Sequence, residues 1–265
     1  MKFMIVLLFS AFISCAYGGH IIVTDFDDTI RHTNASSTTG MIWNLLFKRK
    51  KIFSGMPQLL NGMGNNAEKL IVLTGSPEFI RPLVKKTLRK SNLKYDQLIT
   101  KDKRELHELG VLPWGKLDKP STYYYKIYKI SQILITNPES NILLLGDDAG
   151  GDPEVFLEIA KIFPGRVDAT YIRAIKNRNL PDGMVKFVSA YDVAWLEMLA
   201  GRLDKDKLPN ILKEIMTAKN FRTTIPNFAY CPVTGDIWSE GDFPVTKKLL
   251  QYSKFIMKEC NNKKE

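Results

Sequence analysis

Three apolar runs constrain this chain most. Ile21-Ile22-Val23, Leu70-Ile71-Val72-Leu73 and Ile142-Leu143-Leu144-Leu145 are continuous rather than alternating in hydropathy, which is the pattern of parallel strands buried on both faces. Each runs into polar, reactive residues: Thr24-Asp25-Phe26-Asp27-Asp28-Thr29 after the first, Thr74-Gly75-Ser76-Pro77 after the second, and Gly146-Asp147-Asp148-Ala149-Gly150-Gly151-Asp152-Pro153 after the third. Helical stretches lie between them, over Glu78 to Leu93, Thr122 to Thr136, Pro153 to Phe163 and Tyr191 to Leu199, and further strands are expected at Val167 to Ile172 and Lys186 to Val188. Strands alternating with helices predict an α/β chain with a doubly wound parallel sheet, and such sheets bind ligands at the carboxyl ends of their strands.

The residues at those ends suit one kind of chemistry. Asp25 and Asp27 are two positions apart, so on a strand both carboxylates face the same way; a plain turn is the alternative, since Asp favours turns. Thr74 and Gly75 place a hydroxyl and a glycine turn before a helix, where backbone N–H groups can face an anion, or where the chain simply caps a helix. The acids Asp147, Asp148 and Asp152 on a glycine-loosened loop offer the oxygen donors that a hard cation takes. Lys126 stands one helical turn before the apolar Ile130 and can lean over the end of the sheet. Lys129 competes for that role, and a solvated lysine is the ordinary alternative for both. Asp28 and Asp148 are expected to bind backbone and Arg173 to be structural.

In this order the four segments resemble the motifs of the haloacid dehalogenase (HAD) superfamily. More narrowly, DFDDTIRHTN, FSGMPQLL, VLTGSP, the Lys126 to Ile130 spacing and GDDAGGDPEVFLEIAKIFPGRVDATYIRAI are similar to the phosphatidate phosphatase catalytic domain, over residues 21–175. The resemblance implies a Rossmann-like fold with a small insertion after the first motif and a C-terminal helical extension. It implies a Mg²⁺-dependent phosphatase that hydrolyses a phosphomonoester, phosphatidate foremost, through an aspartyl-phosphate. Asp25 would be the nucleophile and Asp27 the general acid, then base. Mg²⁺ would be held by Asp25, the backbone carbonyl of Asp27 and Asp147. Thr74, Gly75 and Lys126 would bind the phosphoryl group, with Asp152 and Thr29 in support; Arg31 and Thr33, which fit the family pattern after the first motif, would touch the substrate headgroup, a solvated arginine being the ordinary alternative. Asp152-Pro153 also reads as a helix N-cap followed by proline. Two positions depart from the family pattern: Thr74-Gly75, where Ser before a less glycine-rich turn is usual, and Tyr125, where histidine often precedes the lysine. A soluble phosphomonoester as substrate, or a non-catalytic phosphate or lipid binder on the same fold, are the alternatives.

The rest of the chain frames that domain. Residues 1–18, with Lys2, an apolar run from Met4 to Ile13 and Ala16-Tyr17-Gly18, read as an export signal; Cys15 offers a lipoprotein-type junction instead. Residues 19–200 are then the catalytic domain and 201–265 a mainly helical accessory segment, with helical patches over Asp204 to Lys219 and Val245 to Lys258. Cys231 and Cys260 are candidates for one disulfide, and the three histidines show no zinc spacing. A net charge of +10 implies acidic partners; with export expected and no nucleic-acid motif present, nucleic acid is not among them. The most directed basic feature is Trp43 to Phe53, in which apolar and aromatic residues flank Lys48-Arg49-Lys50-Lys51. It reads either as an interfacial element for an anionic membrane surface or as core packing beside solvated cations.

Overall fold

In the computed structural model the described residues are 19–32, 51–112, 119–176, 178–219, 223–224, 251, 254–255 and 258. The expected parallel sheet is present with six strands: β1 (His20–Thr24), β4 (Lys69–Pro77), β5 (Gln97–Lys101), β6 (Asn141–Asp147), β7 (Val167–Arg173) and β8 (Met184–Phe187). Their order is β5-β4-β1-β6-β7-β8, and every pairing is parallel. The chain winds outward from β1 on one side through β4 and β5, then crosses to the other side for β6, β7 and β8. The switch point therefore falls between β1 and β6, where a doubly wound sheet opens its crevice.

The continuous apolar runs cover both faces. Ile22, Leu70, Val72, Leu143 and Leu145 pack beneath α1 (Met56–Gly64), α2 (Arg81–Lys90), α6 (Ala190–Leu199) and α7 (Leu208–Met216). Ile21, Val23, Ile71, Leu73, Ile142 and Leu144 face α3 (Lys103–Glu108), α4 (Ser121–Thr136) and α5 (Asp152–Ile162). Alternate residues of one strand thus enter opposite cores.

Several elements differ from the expectation. The helix foreseen over Glu78 to Leu93 begins as a 3₁₀ turn, Glu78–Ile80, and becomes α-helical only at Arg81, because Pro82 fits the first turn but no later one. β5 escaped notice: as an edge strand it alternates in burial and lacks an apolar run. After the first motif, β2 (Arg31–His32) pairs antiparallel with β3 (Lys51–Ile52), the described base of the insertion. Of the basic stretch from Trp43, Phe53 is described and buried in the main core, and residues 43–50 lie outside the described set. The same holds for Thr33, residues 1–18, Cys231, Cys260 and most of Val245 to Lys258. α7 packs on α1 and α6, and its Leu208, Ile211, Leu212 and Ile215 belong to the same core as the sheet. No described helix is long and apolar enough to cross a membrane.

Candidate active site

β1 ends at Thr24, one residue before the first acid, so Asp25 and Asp27 lie in the turn rather than on the strand. Asp25 continues the pairing through its N–H to Leu145 O (2.8 Å). Its carboxylate accepts from Lys126 Nζ at 2.7 Å, and the same ammonium reaches Asp152 Oδ1 at 2.5 Å. Asp147, from the adjacent end of β6, completes a group in which one carboxylate oxygen each from Asp25, Asp147 and Asp152 lie within 4.8 Å of one another. All four side chains are buried. Lys129 instead pairs with Glu105 at 2.6 Å, away from this group.

Loop chemistry holds the acids in place. Asp147 Oδ1 accepts the N–H groups of Ala149 (2.7 Å) and Gly150 (3.2 Å). Gly146 leaves room for Asp152: a Cβ there would lie 2.5 Å from Asp152 Oδ2 and 2.7 Å from its Cβ. Asp152 is the first helical residue of α5 and Gly151 takes the cap position. The capping role read for Asp152 is thereby corrected, its carboxylate being drawn instead to Lys126.

Asp27 faces the other way. Its Oδ2 accepts from Ser76 Oγ (2.9 Å) and Thr74 Oγ1 (3.1 Å), while Thr74 Oγ1 itself accepts the Ser76 N–H (3.0 Å). The Thr74 hydroxyl, expected to reach for phosphate, thus directs its proton to Asp27. Ser76 was not singled out in the sequence, although it lies two positions from Thr74 on a strand that runs on to Pro77. Arg31, read as headgroup contact or solvated, is instead buried, 4.0 Å from Asp27 Oδ1 and over the Phe26 ring. Asp28 turns the chain in the left-handed region, at φ 55°, which Asp tolerates. Thr29 acts through its carbonyl, which accepts from the fully buried Arg173; that guanidinium also donates to Val188 O and lies over Phe53 and Phe187. Asp148 accepts three backbone N–H groups, of Ile175, Lys176 and Arg178. Tyr125, at the position where histidine is common, points to Thr100 O (2.8 Å) and Glu105.

Electrostatics follow from this crowding. Burial, then the neighbouring carboxylates, pushes Asp147 well above the usual carboxylate range; burial does the same to Asp25, with Lys126 opposing it and Asp152 and Asp27 adding. Burial would lower Lys126, but Asp152 and Asp25 outweigh it and keep the ammonium charged. One ammonium faces three buried carboxylates, so the group as a whole favours uptake of positive charge. Burial also raises Asp27, against the pull of Arg31 and the two hydroxyls. A cavity of about 270 Å³, lined among others by Lys119, Tyr123, Lys126, Gly151 and Asp152, opens beside the group. A larger one, about 720 Å³, lies against β5 and α4, bordered by Arg81, Thr100 and Lys129, and contains none of the clustered acids.

Comparison with known proteins adds the following. The family described as phosphatidate phosphatase APP1, catalytic domain, matches residues 20–174, more than half of the chain. No curated protein sequence matches significantly. Among solved structures, a chain of the Pnkp1/Rnl/Hen1 RNA repair complex is 14% identical over 64% of this chain, at a TM-score of 0.33; the present chain spans 43% of that protein's length. The cobalt-bound deoxy-D-mannose-octulosonate 8-phosphate phosphatase of Haemophilus influenzae is 11% identical over 78% of this chain and 96% of its own, at a TM-score of 0.37.

Proposed function

Because the chain belongs to the phosphatidate phosphatase APP1 catalytic-domain family, a family of phosphoric monoester hydrolases, we propose that it hydrolyses a phosphomonoester through an aspartyl-phosphate, with phosphatidate as the foremost substrate. The observation that carries this reading is the convergence of Asp25, Lys126, Asp147 and Asp152 from two strands and two helices around one point at the switch of the sheet.

Asp25 attacks phosphorus, forming an acyl-phosphate as the alkoxide leaves. Lys126 holds Asp25 in place at 2.7 Å and offsets charge on the phosphoryl oxygens. Asp27 protonates the alkoxide. Its Oδ2 accepts from two hydroxyls, and the Arg31 guanidinium lies 4.0 Å from its Oδ1. The raised proton affinity of Asp27 suits an acid, and the same group then takes a proton from the water that cleaves the acyl-phosphate. Thr74 and Ser76 aim Asp27, and the Gly75 N–H is left for the phosphoryl group.

The donor set fits Mg²⁺: three buried carboxylates outnumber their single ammonium, and all offer oxygen. Asp25 and Asp147 would hold the ion with the Asp27 carbonyl, and Asp152 would steady Lys126 beside it. Bound there, Mg²⁺ supplies the charge neutralisation that attack of one anion on another requires.

The small cavity beside Lys126 admits a headgroup and leaves acyl chains in a bilayer, and it equally suits a soluble phosphomonoester. Export by residues 1–18 and contact of the basic stretch from Trp43 to Lys50 with an anionic surface belong to the same proposal, Phe53 being taken up by the core. The test is phosphate release from phosphatidate in phosphatidylcholine vesicles and from p-nitrophenyl phosphate, with and without Mg²⁺. Asp25→Asn is expected to lower both by at least about a thousandfold. Activity that survives this substitution would exclude the covalent route.

A further inference from the structure

The carboxyl end of the sheet carries a second lysine that the reaction above leaves unused. Lys101 ends β5 in register with Pro77 of β4, one strand outward from the Thr74 to Ser76 turn. Its half-buried ammonium donates to Thr122 Oγ1 at 2.9 Å and Ser121 Oγ at 3.3 Å, at the start of α4. Both acceptors are neutral, and among the described residues no carboxylate forms an ion pair with it. Burial, then Lys103, lowers its proton affinity, as happens where a cation lacks a counter-charge. Such a group is either a standing cost to the fold or half of a binding site.

Its position decides between the two. Thr122 and Lys126 stand one turn apart on the same face of α4, and Lys126 is the lysine bonded to Asp25. The Thr122 methyl is pressed against Gly75, where a Cβ would come within 2.4 Å of it. Lys101 therefore reaches the same helix face as Lys126, at a position roughly 6 Å nearer the helix start by the rise of an α-helix, beside the turn whose Gly75 N–H is proposed for the phosphoryl group. The start of this 16-residue helix adds positive potential. Lys126 already serves the reacting phosphoryl group, so a further cation in reach is matched by charge elsewhere on the ligand. We propose that Lys101 is a specificity-determining residue that holds a second anionic group, carried on the alcohol side of the scissile phosphoester. This rests on the phosphomonoester hydrolysis proposed above in its soluble-substrate form, since the diacylglycerol that leaves phosphatidate carries no charge for Lys101 to meet. The flexible lysine stem suits a point-charge contact, and Ser121 and Thr122 park the ammonium until the anion arrives.

The test compares 3-phosphoglycerate with glycerol 3-phosphate, which carry a carboxylate and a hydroxymethyl group at the same place, alongside phosphatidate in phosphatidylcholine vesicles, using the full chain with Mg²⁺. In the wild type kcat/KM is expected to favour 3-phosphoglycerate, chiefly through KM. Lys101→Met should reduce that preference at least tenfold, and Lys101→Arg should retain it. An equal kcat/KM for the two soluble probes in the wild type overturns the proposal without reference to any variant. So does a Lys101→Met variant that lowers both alike, since loss of a structural contact would leave their ratio unchanged. Turnover of phosphatidate with neither soluble probe cleaved also overturns it, while leaving the hydrolysis itself standing. Failure to cleave any of the three sinks the reaction reading and this inference together.

Discussion

At the scale of single residues, the two acids proposed to react have opposite surroundings. Asp25 sits among carboxylates and one lysine, and Asp27 among hydroxyls. Asp27→Asn keeps an oxygen for Thr74 and Ser76 but removes the proton, so turnover of an alkyl phosphoester should fall by about 10²- to 10⁴-fold. The loss should be much smaller for p-nitrophenyl phosphate, whose leaving group needs no acid; an equal loss on both would remove Asp27 from proton transfer. Charge crowding has a second signature, in stability. Asp25 and Asp147 have folded-state proton affinities raised above the 3.8 of the unfolded chain, so the folded state binds more protons in the window above 3.8. Their contribution is fully present below that value and is lost as pH rises through the folded-state values. The metal-free protein should therefore melt lower at about pH 8 than at about pH 5, and added Mg²⁺ should flatten the slope. Asp147→Asn, which retains an acceptor for the Ala149 and Gly150 N–H groups, should raise the metal-free melting temperature while abolishing activity. A lower melting temperature would show that the carboxylates are not in conflict.

At the scale of elements, glycine decides how closely strand ends approach helices. Gly146→Ala would put a methyl group into Asp152, which Lys126 holds from the other side. The expected result is a loss of about 1–3 kcal/mol together with a rise in the Mg²⁺ concentration needed for half-maximal rate. A variant with unchanged metal dependence would show that Asp152 has room to move. The elements bearing Asp25, Lys126, Asp147 and Asp152 were legible in the sequence because their strands are continuous apolar runs and α4 repeats Ile127, Ile130 and Leu134 at helical spacing. What escaped had no such signal. Ser76 looked like a turn residue because Gly75 and Pro77 flank it, yet β4 runs on through it. Arg31 looked solvated because arginine normally is, and only the tertiary fold supplies the Phe26 face and the Asp27 carboxylate beside it. β5 alternates in burial and offers no apolar run to mark it.

At the scale of the molecule, the segment after residue 200 was expected as an accessory, and its first helix shares the main core. Ile215 is fully buried in the cluster that also holds Phe53, Met56 and Trp195. Ile215→Ala should cost about 2–5 kcal/mol, read as a lower urea midpoint with an unchanged slope. A shift below 1 kcal/mol, on the order of a surface change, would show that this helix adds little to the core. The order of the strands has a further consequence, in the making of the protein. β1 is the earliest of the described strands, but it lies between β4 and β6, and its register runs from His20 opposite Asn141 to Thr24 opposite Leu145. During synthesis Asp25, the proposed nucleophile, leaves the ribosome before both neighbouring strands, so the proposed site would stay unassembled until residue 152 is out. Such distant pairings also slow folding, and under the proposed export that delay would keep the growing chain open enough to pass a membrane channel.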